Sequence, residues 1–285
     1  SPTSRLDSEI ILSHFLQMSR VELYQNWNKP LMDDELSKAR AGVRRRGEGY
    51  PVAYIVGYKD FWNLRFDVSP AVLIPRPETE FVVDSVLDHA NKMCTDMIRI
   101  LDLGAGSGCI GISIANSLIT KKRFDEASVH LTCVEVSDEA CKILSQNLKN
   151  HLNCSTEIVQ CRAQEFEPQA NGNINNGYHL IVANPPYISP DDPNIDPMVK
   201  KWEPSLALFS HQDGLKDIFE WSLQAQKSLI KGGMMAFEIG MGQYEFVKQY
   251  FLNHLKSPKA GEKGFQVDCV KDLAGIERVI CLKDF

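Results

Sequence analysis

Long apolar runs, closely spaced cysteine pairs and any excess of positive charge are absent from these 285 residues. No stretch stays apolar for the roughly 18 residues that a membrane-spanning helix requires, so none is expected. Eight cysteines are present, at positions 94, 109, 133, 141, 154, 161, 269 and 281, yet no two form a Cys-x-x-Cys pair. Neither zinc spacing nor a disulfide ladder is suggested, and no metal-binding residues are expected. Several of these cysteines fall inside apolar strand patterns, which suits buried thiols in a reducing compartment. The formal net charge is −6 and the isoelectric point is near 5.7. Affinity for nucleic acid rests on Lys and Arg neutralising phosphates, so this balance argues against a duplex-binding surface while leaving local basic patches open.

What the chain does contain is ample apolar material, 44% of its residues, enough for one large domain or two modest ones. Residues 1–52 read as a small helical domain. Ile10, Ile11, Phe15 and Leu16 share a helical face, 21–27 continues the amphipathic pattern, and Asp33-Asp34-Glu35 opens a further helix running to Arg46. Arg44, Arg45 and Arg46 at its end read as solvated charges that also answer the helix dipole. In the segment 53–75, the runs Tyr54-Ile55-Val56-Gly57, Phe61-Trp62 and 64–68 predict a short β-hairpin that links the two parts of the chain.

Residues 76–285 alternate strands with helices. Strands are expected at 98–104, 129–136, 157–161, 178–184, 234–240, 265–271 and 277–282, and helices at about 109–119, 138–151, 214–230 and 242–255. Such alternation implies a parallel sheet with helices on both faces. Only five residues separate the last two strands, too few for a crossover, so these are expected as an antiparallel hairpin. The stretch 171–177, rich in Asn and Gly, reads as a polar loop.

Two strand ends carry candidate chemistry. At the first, Leu101-Asp102-Leu103-Gly104-Ala105-Gly106-Ser107-Gly108 leaves a strand and turns into a helix, where glycines let the backbone approach a ligand and the helix N-terminus adds donors. Dinucleotide folds use similar turns. Two details favour S-adenosylmethionine instead: Asp102 precedes the loop, where a carboxylate can meet a cationic methionine amine, and Cys109 stands where the dinucleotide fingerprint has its third glycine. Glu135 ends the next strand, where an acid can accept both ribose hydroxyls. NAD enzymes share that feature, so Glu135 supports a nucleoside without identifying it; the plainer readings are a turn residue for Asp102 and a helix cap for Glu135.

The second strand end is the ten-residue stretch Val182-Ala183-Asn184-Pro185-Pro186-Tyr187-Ile188-Ser189-Pro190-Asp191. The strand before it must stop at Asn184, because two prolines remove two backbone donors. That leaves a side-chain amide, two carbonyls and an aromatic ring at the C-terminal end of a strand, where open α/β sheets bind ligands. An amide or exocyclic amine nitrogen is a poor nucleophile, since its lone pair is delocalised. The Asn184 side-chain oxygen and the Pro185 carbonyl can take both of its N–H hydrogens, holding the nitrogen still and favouring the charge that grows on it during alkylation. Tyr187 offers a flat face for the planar group. A proline-rich turn with a capping Asn is the bland alternative.

Four strings now fall in order: Ile74-Pro75-Arg76-Pro77-Glu78-Thr79-Glu80, Asp102–Gly108, Asn184-Pro185-Pro186-Tyr187-Ile188 and Glu203-Pro204-Ser205-Leu206-Ala207-Leu208. From about residue 10 to the C-terminus they closely resemble the PrmC/HemK family. The resemblance implies a class I S-adenosylmethionine-dependent methyltransferase fold, a seven-stranded, mostly parallel sheet with a C-terminal antiparallel hairpin, behind a small N-terminal helical domain. It implies methylation of the side-chain amide nitrogen of the glutamine in the Gly-Gly-Gln motif of peptide chain release factors. Carried over by position, Asp102, Gly104, Ala105, Gly106, Ser107, Gly108, Glu135, Ala163 and Asn184 would bind the cofactor. Asn184, Pro185, Pro186 and Tyr187 would bind the glutamine, with Asn184, Pro185 and Tyr187 catalytic. This sequence departs from the family where Glu135 replaces the commoner Asp, where Arg162-Ala163 replaces an Asp-Trp pair, and where Gly47-Glu48-Gly49-Tyr50-Pro51 lengthens a Gly-Glu-Pro linker.

Eight cysteines and a first residue other than Met point within the family to an animal mitochondrial member; a bacterial member would be cytoplasmic. The resemblance also implies a monomer whose partner is a release factor, with no direct nucleic acid and no membrane. An adenine N6 DNA methyltransferase is the alternative, because the Asn-Pro-Pro-Tyr chemistry would serve a flipped base equally. Acidic charge and the lack of a recognisable target-recognition domain count against it.

Overall fold

The structure is a computed structural model that describes residues 3–168, 177–255 and 265–283. Of the polar loop expected at 171–177, residues 171–176 lie outside the described residues. The chain begins with helices Ser4–Leu16, Arg20–Gln25 and Asp33–Gly47. Ile11 and Ala39 lie buried, and Arg46 Nε bonds the nearly buried Asp7 at 2.7 Å. Arg45 lies over the Tyr50 ring, 4.0 Å from its centroid. Two of the three arginines expected to be solvated are therefore engaged by other residues of the chain through their guanidinium groups.

The hairpin is present but begins later than its β-branched residues suggest. Val52–Val56 is a short helix, stopped at Gly57, and the strands are β1 (Tyr58–Phe61) and β2 (Leu64–Asp67). Helix is chosen over strand by long-range packing: Tyr54 and Val56 are buried, and the Tyr54 hydroxyl donates to the Val72 carbonyl at 2.7 Å. The turn places Trp62 and Asn63 at φ of 49° and 63°, a region that bulky residues rarely adopt. Two anchors hold it there. Trp62 donates its backbone N–H to Glu80 at 3.0 Å and its indole N–H to Ser117 at 2.8 Å.

Seven further strands form one sheet: β3 (Ile98–Leu103), β4 (Val129–Glu135), β5 (Ser155–Gln160), β6 (Tyr178–Ala183), β7 (Leu229–Glu238), β8 (Gln266–Lys271) and β9 (Glu277–Lys283). Their order is β5-β4-β3-β6-β7-β9-β8. The last strand runs antiparallel to both neighbours, and the other pairings are parallel. Alternate residues feed two cores. Ile98, Ile100, Leu180, Val182, Met234 and Ala236 face one helical layer, while Leu101, Leu103, Ile181, Ala183, Met235 and Phe237 face the other. This double burial is why the central strands read as continuous apolar runs.

Register then lines up the strand ends. Leu103 pairs with Val134 on one side and with Ala183 on the other, and Ala183 pairs with Phe237. Each next residue, Gly104, Glu135, Asn184 and Glu238, thus stands in one row at the C-terminal edge of the sheet.

Candidate active site

Two loops leave this row side by side. After β3, Gly104 turns at φ 67°, and a Cβ there would stand 2.5 Å from the Trp221 ring, so both conformation and space demand glycine. Gly106, at φ 56°, donates its N–H to Glu135 Oε2 at 2.9 Å. Glu135 Oε1 accepts the N–H groups of Val136 and Ser137, each at 2.9 Å. Oε2, with one donor, keeps a second lone pair, so the carboxylate can still accept a ribose hydroxyl. Helix Cys109–Thr120 follows, and the Gly111 N–H donates to Asp102 Oδ2 at 2.9 Å.

Asp102 does not line the cavity over this loop; it is 1% exposed beneath it. Its Oδ1 has no hydrogen-bond partner, and burial, helped by the neighbouring Glu135 charge, pushes the carboxyl up to about 7 against the Gly111 hydrogen bond. The cavity wall is made by Gly104, Ala105, Gly106, Ser107, Glu135 and the segment 161–164. Ala163, 6% exposed, stands in that segment. A Cβ added to Gly106 would meet nothing nearer than the Gly104 carbonyl at 4.0 Å. Open space over a donor-rich turn, bordered by a carboxylate, fits a nucleoside ligand with a polar tail.

After β6, Pro185 and Pro186 are buried, and the next residues cross to another element: Ile188 N–H donates to the Leu208 carbonyl at 3.1 Å. Gln243 clamps the turn, donating to the Tyr187 carbonyl at 3.0 Å while accepting from Gly240 N–H at 2.8 Å. Asn184 donates one Nδ2 hydrogen to Thr79 Oγ1 at 3.2 Å, which leaves Oδ1 as the acceptor that the amide can offer a ligand, beside its second Nδ2 hydrogen. The Tyr187 hydroxyl donates to Glu238 Oε1 at 3.2 Å. Burial raises the Tyr187 pKa and pushes the Glu238 carboxyl up to about 7.

Asn184 and Pro186 stand on the wall of the cavity over the glycine loop, and Asn184 and Tyr187 on a second cleft of about 450 Å³. Pro185 lines neither. The site also depends on residues for which the sequence suggested no role: Thr79, Trp221, Glu238 and Gln243. Arg76 and Glu203, from two of the matched strings, form an ion pair, and Glu203 also accepts the Ile74 N–H at 3.2 Å. An acid at the end of β7, level with the Asn184 that follows β6, was the available signal for Glu238. Thr79 had none.

A glycine-rich turn after the first strand of the large sheet, an acid at the end of the next and this strand order define a class I methyltransferase, with S-adenosylmethionine as methyl donor. The catalytic domain of hMettl16, solved in complex with a MAT2A 3'UTR hairpin, shares the fold, with a TM-score of 0.57 at 14% identity over 89% of this chain and 81% of that one. The PrmC N-terminal domain family matches residues 1–57, and the methyltransferase small domain family matches 81–200. A release factor glutamine methyltransferase of Aliivibrio fischeri is 34% identical over 281 residues, 98% of this chain and 90% of its own. One of Coxiella burnetii is 36% identical over 245 residues, 86% and 82% of the two chains. The chain belongs to the release factor glutamine methyltransferase family.

Proposed function

We propose that this protein transfers a methyl group to the side-chain amide nitrogen of the glutamine in the Gly-Gly-Gln motif of a peptide chain release factor. One observation carries the reading: the cavity over the glycine loop and the second cleft share Leu73, Arg76, Asn184 and Ala207, so they meet at Asn184. S-adenosylmethionine supplies a methyl group on a positively charged sulfur. Asn184 Oδ1 and the Pro185 carbonyl accept the two N–H hydrogens of the glutamine amide, which fixes the nitrogen and favours its developing charge. Tyr187, held by Glu238, supports the plane of that amide. The nitrogen would gain the methyl as the carbon–sulfur bond breaks, the neutral thioether S-adenosylhomocysteine would leave, and one N–H proton would pass to solvent. On the donor side, Asp102 through Gly108 with Glu135 shape the cofactor cradle, and Ala163 lies at its adenine end.

Residues 1–52 and the 53–75 linker contribute docking area in this reading, because a loop glutamine alone offers little surface for affinity. Val21, Tyr24, Trp27 and Met32 are exposed there, the kind of apolar group that marks a partner surface. The protein acts as a monomer, in an animal mitochondrial matrix or a bacterial cytoplasm. Eight unpaired thiols suit the reducing chemistry of either, and the relatives named above are bacterial. Adenine in DNA is not favoured, since those relatives are named for release factor glutamine. The test is transfer of labelled methyl to a release factor, its Gln→Ala variant and duplex DNA in parallel. Label in the first alone supports the reading; label in DNA, or in the Gln→Ala variant, removes it.

A further inference from the structure

One buried acid behind Tyr187, which lines the second cleft, takes no part in the chemistry above except to hold that residue. Glu238 is 2% exposed, and its Oε2 has no hydrogen-bond partner. Retaining a carboxylate in such a place is costly, so a structural ornament is a poor account of it. Its neighbours come from four elements: Thr79 in the turn Pro77–Thr79, Tyr187 after β6, Arg278 on β9 and Cys109 at the start of Cys109–Thr120. Glu78 also acts on it, with the opposite electrostatic sense to Arg278.

Thr79 is the hinge of this cluster. Its hydroxyl has one hydrogen and two lone pairs. It accepts the Asn184 Nδ2–H at 3.2 Å, and it lies close enough to the Glu238 carboxyl to favour the ionised form. A carboxylate can only accept, so a Thr79 hydrogen turned toward it leaves the Thr79 lone pairs to the Asn184 Nδ2–H, while Tyr187 donates to Glu238 from the other side.

We propose that Glu238 and Thr79 are positioning residues that select the amide orientation of Asn184, presenting Oδ1 rather than Nδ2 to the substrate nitrogen. An asparagine amide turned by half a rotation has almost the same shape but the opposite hydrogen-bonding sense, and nothing in packing alone separates the two. Turned the wrong way, the Asn184 NH2 would face the NH2 of the substrate, donor against donor. The inference rests on the proposed function, because it matters only where the substrate atom is an N–H nitrogen.

The experiment compares Thr79→Val, which keeps the shape and loses the hydroxyl, with Thr79→Ser, which keeps the hydroxyl, and with Glu238→Gln. Thr79→Val is expected to lower kcat about 10- to 100-fold at saturating cofactor, with KM for the release factor within about twofold of wild type. Thr79→Ser restores kcat to within about threefold. Because burial pushes the Glu238 carboxyl up to about 7, wild-type kcat rises with pH as that group ionises, and in Glu238→Gln the rise is lost. A second measurement needs no substrate: in the cofactor-free protein, the Asn184 side-chain N–H signals exchange slowly with solvent in wild type and Thr79→Ser but quickly in Thr79→Val. Wild-type kcat in Thr79→Val, an equally slow Thr79→Ser, or equal exchange in all three would overturn the proposal. A wild-type protein that leaves the release factor unlabelled would instead overturn the proposed function, while the exchange comparison still decides the orientation of Asn184.

Discussion

Gly106 donates its backbone N–H to Glu135 Oε2 at 2.9 Å, tying the tip of the loop after β3 to the end of β4. The bond joins the two features that a nucleoside ligand would use, and it exists because Gly106 holds φ at 56°.

A side chain at that position must be strained, and a β-branched one most of all. Gly106→Val is therefore expected to abolish measurable S-adenosylmethionine binding in calorimetry while the thermal transition is retained. Unchanged affinity would remove the loop from the cofactor site.

Asn184→Ala should cost roughly 10² to 10³ in kcat, or about 3 to 4 kcal/mol, by analogy with the removal of one preorganised polar contact. Asn184→Asp keeps an acceptor but adds a charge near the sulfonium, so it should bind cofactor and recover only part of the rate. Steady-state kinetics with a release factor substrate decide the matter; a near-normal kcat in Asn184→Ala would move the chemistry elsewhere.

Burial holds the Asp102 carboxyl well above its ordinary value, up to about 7, so the folded protein binds this proton more tightly than the unfolded chain does. Stability contributed by the protonated group is present below the unfolded value of 3.8 and falls as pH rises toward 7. Urea unfolding of the cofactor-free protein at pH 5 and pH 7.5 should show this loss in wild type and a smaller one in Asp102→Asn. Equal slopes would mean that the buried oxygen is compensated in solution.

Glu203, whose side chain is 2% exposed, is bonded to both Arg76 and the Ile74 N–H. Glu203→Ala leaves a half-buried guanidinium and a backbone donor without this partner, a loss of about 2 to 3 kcal/mol. The expected result is a lower Tm together with weaker substrate binding, since Arg76 lines both cavities.

If the N-terminal surface docks a folded release factor, Trp27→Ser should raise KM for the protein substrate several-fold, roughly 1 kcal/mol or more, and leave a short Gly-Gly-Gln peptide unaffected. Equal KM changes for both substrates would assign the helices to stability instead.

Much of this was legible before any coordinates. The seven strands of the large sheet lie where their apolar runs predict them, because strands buried on both faces have little choice of composition. β7 begins five residues earlier than expected, at Leu229 rather than 234, since Gly232 and Gly233 interrupt its pattern and only pairing with β6 restores it. Helix Val52–Val56 stands where the run Tyr54-Ile55-Val56-Gly57 predicts strand, for the converse reason: its β-branched residues are common in strands, and the packing of Tyr54 and Val56 overrides that preference.

The sequence by itself determined to within two residues where the strands β3, β4, β6 and β7 end, and at β3 and β6 the reason is local: glycine can turn where others cannot, and proline cannot donate to a ladder. Gly104, Glu135, Asn184 and the four strings around them needed nothing more. Only the tertiary structure decided which side chains answer one another: Thr79 meets Asn184 across 105 residues, Arg76 meets Glu203 across 127, and Tyr187 meets Glu238 across 51. Strand order sets those meetings, and a hydrogen bond between residues so far apart leaves no periodicity along the chain.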